Sequence, residues 1–129
     1  MPHRTILLID DEDDIREVAT LTLETMGDFA VTSASNGEAG IECATRERPD
    51  AILLDVMMPE LDGPSTLARL RAIAVTRDIP VIFLTAKVQA VDRRRLADLG
   101  AVGIIAKPFD PMTLAEEVTS LLQGAAVST

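Results

Sequence analysis

The sequence predicts an α/β fold in which a five-stranded parallel sheet is covered by helices on both faces. Short apolar runs of strand length alternate five times with longer segments whose apolar residues recur at helical spacing. Most of these runs are continuously apolar, which is typical of parallel strands that are buried on both faces. The connections are short, and no repeat, low-complexity stretch or linker interrupts them, so we expect one domain.

In the first half of the chain the pattern predicts three strands and two helices. The strands lie at residues 5–9, 29–33 and 51–54, and the second alternates apolar and polar residues, as a strand near a sheet edge does. The first helix covers residues 13–26, with Gly27 as its C-cap. Its apolar stripe is expected to comprise Ile15, Val18, Ala19, Thr22 and Met26. The second helix follows Asn36 as its N-cap and extends to about Arg46.

In the second half the pattern predicts three helices and two strands. The third helix opens at Asp62-Gly63-Pro64 and reaches about Ala74, and the fourth covers residues 88–99. The strands lie at residues 80–84 and 103–106. The last helix is expected to start at Asp110-Pro111, with the acid as its N-cap and the proline in its first turn. Residues 125–129 are expected to form a short frayed tail after a domain of residues 1–124.

The composition excludes several classes of protein. At 129 residues, 47% of them hydrophobic, the chain can bury one core of ordinary size. No apolar run approaches the roughly 20 residues that span a bilayer, and the first residues lack the features of a signal peptide. Cys43 is the one cysteine, so an internal disulfide is excluded, and a cytoplasmic location is the simplest expectation. The net charge of −9 argues against direct binding to nucleic acid.

Polar residues stand where four of the predicted strands end. Asp10-Asp11 follows the first strand and Asp55 the third, while Thr85 and Lys107 follow the fourth and fifth. Because a parallel sheet places the carboxyl ends of its strands along one edge, these residues can share one crevice. Three carboxylates, a hydroxyl and an ammonium together would suit a divalent cation and a phosphoryl group.

The chemistry of each residue suggests a distinct role. Mg²⁺ takes oxygen ligands and keeps several waters, so Asp11 and Asp55 are the best direct ligands, with Asp10 acting through water. The Asp55 carboxylate could also attack phosphorus and form an aspartyl phosphate. The metal and Lys107 would then spread the charge of the transferring group, and the Thr85 hydroxyl could donate to a phosphoryl oxygen.

Each residue also has an ordinary explanation when it is taken alone. An acid at a strand end is most often a solvated loop residue or a helix cap, which is what we expect of Asp13 and Asp14. Thr85 alone would be an ordinary β-branched strand residue, and Lys107 alone would be a surface lysine. The functional interpretation is favoured because four strand ends carry complementary chemistry together.

Four segments carry a resemblance to a known family. ILLIDDEDDIRE, DAILLDVMMPELDG, IPVIFLTA and AKPFD resemble the receiver domain of two-component response regulators, over roughly residues 4–122. The resemblance implies a flavodoxin-like, doubly wound sheet of order 2-1-3-4-5. It also implies phosphorylation of Asp55 by a sensor histidine kinase or a histidine phosphotransfer protein.

The same resemblance implies a metal site and a switch. Mg²⁺ (or Mn²⁺) would be held by Asp10, Asp11, Asp55 and the backbone carbonyl of Met57. Thr85 would be the switch hydroxyl and Lys107 the phosphoryl-binding lysine. Pro108 is the position at which the family usually has a cis bond, which would aim Lys107 into the site.

The sequence departs from the family pattern at Ile104, where the family commonly has Tyr or Phe. We therefore expect the coupling from Thr85 to the outer face to be weaker or different. Two variable positions beside the site, Met57 and Lys87, should set how long the phosphoryl group lasts. Met57 cannot orient an attacking water and Lys87 could shield the phosphoryl group, so slow self-hydrolysis is our hypothesis. The alternative is that both are merely residues at the rim of the site.

We expect a signalling switch that catalyses only its own phosphorylation and dephosphorylation. Phosphorylation would alter the surface around the fourth helix, fifth strand and fifth helix, where a downstream protein binds. We expect a monomer or weak dimer, because the last helix carries Glu116-Glu117 and no basic residue to pair across a dimer. We expect no membrane contact. The alternative is the regulatory part of a longer response regulator.

Two other classes fit less well. An aspartyl-phosphate phosphatase wants Asp-x-Asp-x-Thr at the end of its first strand, which IDDEDDI lacks. A flavin-binding protein of this strand order needs a loop rich in hydroxyls and glycine, and DDEDD would repel the flavin phosphate.

Overall fold

In the computed structural model, five strands form one parallel sheet. The model describes residues 4–86 and 90–127, apart from the side chains of residues 90, 91 and 125–127. The strands are β1 (Arg4–Ile9), β2 (Phe29–Ala34), β3 (Ala51–Asp55), β4 (Val81–Thr85) and β5 (Gly103–Ala106). The helices are α1 (Asp13–Met26), α2 (Gly37–Glu47), α3 (Gly63–Ala72), α4 (Ala90–Asp98) and α5 (Leu114–Val127). The sheet order β2-β1-β3-β4-β5 confirms the predicted fold class and the edge position of β2.

The sheet is buried on both faces because successive residues of each strand point to opposite sides. Ile6 and Leu8 of β1 pack into the core layer under α1 and α5. Leu7 and Ile9 pack into the other layer, under α2, α3 and α4. All four side chains are at most 1% exposed, which explains why β1 is continuously apolar.

Two helix N-termini are capped by side chains, α2 by the predicted cap and α3 by the residue at which it was predicted to open. The Asn36 side chain accepts a hydrogen bond from the backbone N–H of Ala39 at 2.8 Å, and α2 begins at the next residue. The Asp62 carboxylate accepts from the N–H of Ser65 at 2.8 Å and caps α3. These caps satisfy backbone donors that have no partner within the helix.

The prediction of the buried face of α1 was partly wrong. Ala19 and Thr22 are buried, as expected, but Leu23 completes the buried face. Val18 and Met26 are instead 42% and 50% exposed. Apolar residues occur around most of this helix, so residue type alone did not identify the side that faces the sheet.

The bounds of α5 also differ from the prediction. The carboxylate of Asp110 accepts from the N–H of Met112 at 2.9 Å and forms a turn, and α5 begins only at Leu114. The helix continues to Val127, through residues for which a frayed tail was predicted. The predicted start of α4 at residue 88 lies outside the described residues. None of the helices in the described parts of the chain combines the length and apolar character that crossing a bilayer requires.

Gly63 lets α3 begin directly against the end of β3. A Cβ atom at this position would lie 2.4 Å from the backbone oxygen of Asp55 and 2.8 Å from the Cα of Val56. The Gly63 N–H donates to the Val56 carbonyl at 2.9 Å, so the two backbones are held together. Because the obstructing atoms are backbone atoms, they cannot turn aside as a flexible side chain could.

Replacing Gly63 with alanine tests this close approach. We expect Gly63→Ala to lower the free energy of unfolding by about 1–3 kcal/mol, because the added methyl group overlaps the β3 backbone. Urea unfolding followed by circular dichroism measures the change. Gly124→Ala is the matched control, because a Cβ there meets nothing within 4 Å and should stabilise α5 by about 0.5–1 kcal/mol. Equal effects of the two substitutions would contradict the close packing at Gly63.

Candidate functional site

The carboxyl ends of β1, β3 and β5 bring the predicted polar residues together. Asp55 is the last residue of β3, and Asp10 and Lys107 follow β1 and β5 directly. The Lys107 Nζ lies 3.0 Å from Oδ2 of Asp10 and 3.4 Å from Oδ1 of Asp55. One carboxylate oxygen each of Asp10, Asp11 and Asp55 lie within 4.8 Å of one another. Residues far apart in sequence therefore form one cluster at the sheet edge.

Asp10 is fully buried and is held through several of its polar groups. Its N–H donates to the Ala34 carbonyl at 3.1 Å, which continues the pairing of β1 with β2. Its Oδ1 accepts from the N–H of Glu12 at 2.9 Å, and its Oδ2 accepts from Lys107. The carboxylate is thus fixed in the crevice, whereas neighbouring Asp11 is exposed at its rim.

Asp55 is an almost fully buried carboxylate, 3% exposed. Its Oδ1 accepts from the N–H of Met57 at 3.3 Å. Burial and then the charge of Asp10 raise the pKa of Asp55 from 3.8 to about 6, against the opposing effects of Lys107 and the Met57 N–H. The charged form of Asp55 is therefore less favoured than in a solvated aspartate, and a further cation nearby would stabilise it.

Lys107 supplies one positive charge to the cluster. Burial acts to lower the pKa of Lys107, but the hydrogen bond and charge of Asp10, and the charges of Asp55 and Glu12, outweigh it and raise that pKa. The ammonium is therefore protonated at neutral pH. Among the described residues, one ammonium faces three carboxylates, so this part of the cluster keeps an excess of negative charge.

Thr85 ends β4 between the Asp55 and Lys107 strands. It pairs with Ala106 of β5, and its carbonyl accepts from the Lys107 N–H at 2.9 Å. Although Thr85 is only 1% exposed, it lines a cavity of about 590 Å³ between the β3–α3 loop and α4. Its position therefore links the acidic cluster to the α4 side of the molecule.

The remaining predicted residues surround this cluster. Met57 is 61% exposed, and its backbone N–H contacts Asp55. Ile104 pairs with Phe83 across β4–β5 and is partly buried. The Lys107–Pro108 bond is cis, as the resemblance implied. Lys87 lies outside the described residues.

Two residues of the site were missed from the sequence. Glu12 was not predicted as a site residue, although its Oε1 lies 3.9 Å from the Lys107 Nζ. Arg16 donates from Nη1 to the backbone carbonyl of Asp10 at 2.7 Å and forms an ion pair with Asp13. The available signal was the spacing, since Arg16 is the one basic residue in the acidic run of residues 10–17 and stands three positions after Asp13.

Comparison with known proteins identifies the family. A family model described as the response regulator receiver domain matches residues 6–119 of this chain. The chain belongs to this family. Its receiver domain is therefore part of the two-component signalling class, and receiver domains are switches rather than enzymes in the usual sense.

Individual relatives agree with the family model. The transcriptional regulatory protein CseB of Streptomyces coelicolor is 39% identical over 118 residues, which are 92% of this chain and 49% of CseB. The response regulator Rre1 of Synechocystis sp. is 37% identical over 118 residues, which are 92% of this chain and 51% of Rre1. This receiver domain thus spans about half the length of these curated relatives.

Among solved structures, the chemotaxis protein CheY4 of Vibrio cholerae has the same fold. The two structures superpose with a TM-score of 0.86 at 28% identity, covering 93% of this chain and 99% of CheY4. Receiver domains bind Mg²⁺ at an acidic pocket, and the cluster of Asp10, Asp11 and Asp55 offers the oxygen ligands that such an ion requires. The residues present therefore fit a divalent cation.

The raised pKa of Asp55 predicts a pH-dependent cost of folding. Because the folded chain holds the Asp55 proton more tightly than the unfolded chain, stability falls as pH rises from about 4 to about 6 and stays lower above that. Asp55→Asn cannot ionise, so we expect it to be more stable than wild type at pH 7 by up to about 3 kcal/mol in the absence of divalent cations. At pH 4 the difference should nearly vanish.

Urea unfolding in the presence of a chelator, at several pH values between 4 and 7.5, measures this difference. The exposed carboxylate-to-amide variant Asp98→Asn is the control for general charge effects. A difference between wild type and Asp55→Asn that does not depend on pH would contradict the raised pKa.

Proposed function

We propose that this receiver domain is a phosphoacceptor switch whose phosphorylated residue is Asp55. The observation that carries the proposal is a buried carboxylate, Asp55, set among two further acids and the Lys107 ammonium. The donor is a phosphohistidine of a sensor histidine kinase or a histidine phosphotransfer protein. A carboxylate oxygen of Asp55 bonds to phosphorus while the phosphorus–nitrogen bond breaks, and the imidazole leaves with the electron pair.

The acidic residues would hold the metal that this transfer needs. Asp11, Asp55 and the backbone carbonyl of Met57 are the proposed direct ligands of Mg²⁺ (or Mn²⁺). Both oxygens of Asp10 already accept hydrogen bonds, from the Glu12 N–H and from Lys107, which supports a role for Asp10 through water. When bound, the cation neutralises charge on the carboxylates and on the transferring phosphoryl group.

Lys107 and Thr85 would respond to the new group. The Lys107 ammonium contacts both Asp10 and Asp55, and it is close enough to Asp55 to bind an oxygen of a phosphoryl group attached there. The Thr85 hydroxyl would donate to another phosphoryl oxygen, and its displacement would reach the surface formed by α4, β5 and α5. Ile104 takes the place of the aromatic residue on this route, and it borders an open cavity of about 430 Å³ with Glu116 and Leu121 of α5.

The output could take two forms. The match to nearly all of CheY4 supports a receiver that acts alone on a downstream protein partner. The two curated relatives are about twice as long, and CseB is named a transcriptional regulatory protein, which supports the second candidate, regulation of an effector domain in a longer protein. In either case the domain comprises residues 1–124 and works in the cytoplasm, as a monomer or weak dimer that itself contacts neither nucleic acid nor membrane.

Intact-mass spectrometry tests the phosphoacceptor directly. Wild type incubated with acetyl phosphate and Mg²⁺ should gain the mass of one phosphoryl group, because the cluster makes Asp55 a nucleophile with a charge-stabilised product. Asp55→Asn, or wild type with chelator, should gain none. An unmodified wild type, or equal modification of Asp55→Asn, would overturn the proposal. A panel of phosphorylated histidine kinases would then identify the physiological donor.

The residue beside the phosphoryl group is expected to set its lifetime. Met57 offers no group that could orient a hydrolytic water, so Met57→Asn should shorten the half-life of the phosphorylated protein several-fold by aligning one. Loss of the adduct over time is followed by the same mass measurement. Met26→Asn, at a similarly exposed methionine at the end of α1, is the control. An unchanged lifetime in Met57→Asn would remove Met57 from this role, and Lys87→Glu tests the other variable position.

A further inference from the structure

Arg16 is bonded to the backbone of the acidic cluster from the first turns of α1. Its Nη1 donates to the carbonyl oxygen of Asp10 at 2.7 Å, and its Nη2 forms an ion pair with Asp13. The Arg16 side chain is only 19% exposed, whereas that of Asp13 is 88% exposed. The guanidinium is therefore docked against the chain, as a planar group with several fixed donors can be.

The bonded carbonyl belongs to the peptide that joins Asp10 to Asp11. The N–H of Asp10 is fixed to β2 through Ala34, and its Oδ1 is fixed by Glu12. The orientation of the next peptide determines where the exposed Asp11 side chain points, and Arg16 holds that peptide by its oxygen. The backbone N–H of Arg16 also donates to the Glu12 carbonyl at 3.1 Å, so the residue is anchored to the same loop at both ends.

We infer that Arg16 is a positioning residue of the metal site, which orients the Asp10–Asp11 peptide so that Asp11 can act as a ligand. The inference rests on the proposed function, because it assigns a role toward the cation proposed there. Arg16 itself is a cation and contacts no carboxylate of the cluster in the described structure; its bonds go to a carbonyl and to Asp13. Groups that orient ligands in this way affect metal affinity without touching the metal.

Charge and positioning predict opposite results when Arg16 is removed. If Arg16 were only a positive charge near the site, its loss would leave more negative potential there and divalent cations would bind more tightly. If Arg16 positions Asp11, its loss frees the peptide and divalent cations bind more weakly. The sign of the change therefore separates the two roles.

The experiment measures binding of Mn²⁺ to the unphosphorylated chain, with free Mn²⁺ followed by electron paramagnetic resonance. We expect Arg16→Gln to weaken Mn²⁺ binding about tenfold. Arg16→Lys keeps the charge but lacks the planar guanidinium that binds the Asp10 carbonyl and Asp13 together, so it should also weaken Mn²⁺ binding. In the phosphorylation assay, both variants should need more Mg²⁺ but reach the wild-type extent of modification when Mg²⁺ is saturating.

The controls separate failure of this inference from failure of the proposed function. Arg46→Gln removes the same charge from exposed ion pairs on α2 and should leave Mn²⁺ binding unchanged. Asp11→Asn should abolish most binding. If wild type binds Mn²⁺ but Arg16→Gln binds equally or more tightly, Arg16 has no positioning role. If wild type does not bind Mn²⁺, the proposed metal site fails and the inference with it. Thermal unfolding followed by circular dichroism establishes that each variant is folded. If Arg16→Gln does not fold, the Mn²⁺ binding of Arg16→Lys decides the outcome.

Discussion

The ammonium of Lys107, placed between two buried carboxylates, is the interaction on which the site depends. Asp10 and Asp55 come from different strands and would repel each other in a crevice from which water is largely excluded. Lys107 compensates for part of that repulsion, but in the described part of the site its one positive charge cannot balance the three acids. Burial, and then the remaining repulsion from Asp10, raise the pKa of Asp55. The cluster thus favours further positive charge, and the proposed metal would supply it before an anionic phosphoryl group arrives.

The fold supplies this arrangement through the parallel sheet. Strand order β2-β1-β3-β4-β5 places β1 and β3 side by side, so the acids at their carboxyl ends are neighbours, and β5 brings Lys107 in from the edge. Close packing then holds the loops in place. Gly63 allows α3 to lie against the Asp55 backbone, and the hydrogen bond from Arg16 connects α1 to the Asp10 carbonyl. Rigid surroundings of this kind allow a small change at Asp55 to be transmitted rather than absorbed.

Much of the fold and of the site could be predicted from sequence because both depend on patterns along the chain. Continuous apolar runs marked the buried strands, and polar residues at their ends marked the crevice. Contacts that depend on side-chain direction could not be predicted. Val18, Leu21 and Met26 are apolar yet exposed, so the buried face of α1 was misassigned. The turn at Asp110 delayed α5, and the bond from Arg16 to a backbone oxygen left no trace in residue spacing beyond its neighbour Asp13.

Asp55 is a buried carboxylate with a raised pKa that a nearby cation should lower, and its titration tests this most directly. Carbon-detected nuclear magnetic resonance of the aspartate carboxyl groups, assigned with Asp55→Asn, would follow the ionisation of Asp55 with and without Mg²⁺. We predict a pKa of about 6 without metal, and a pKa lowered by about one to three units when Mg²⁺ is bound. An Asp55 that titrates near 3.8, or that titrates identically with and without Mg²⁺, would contradict this description of the site.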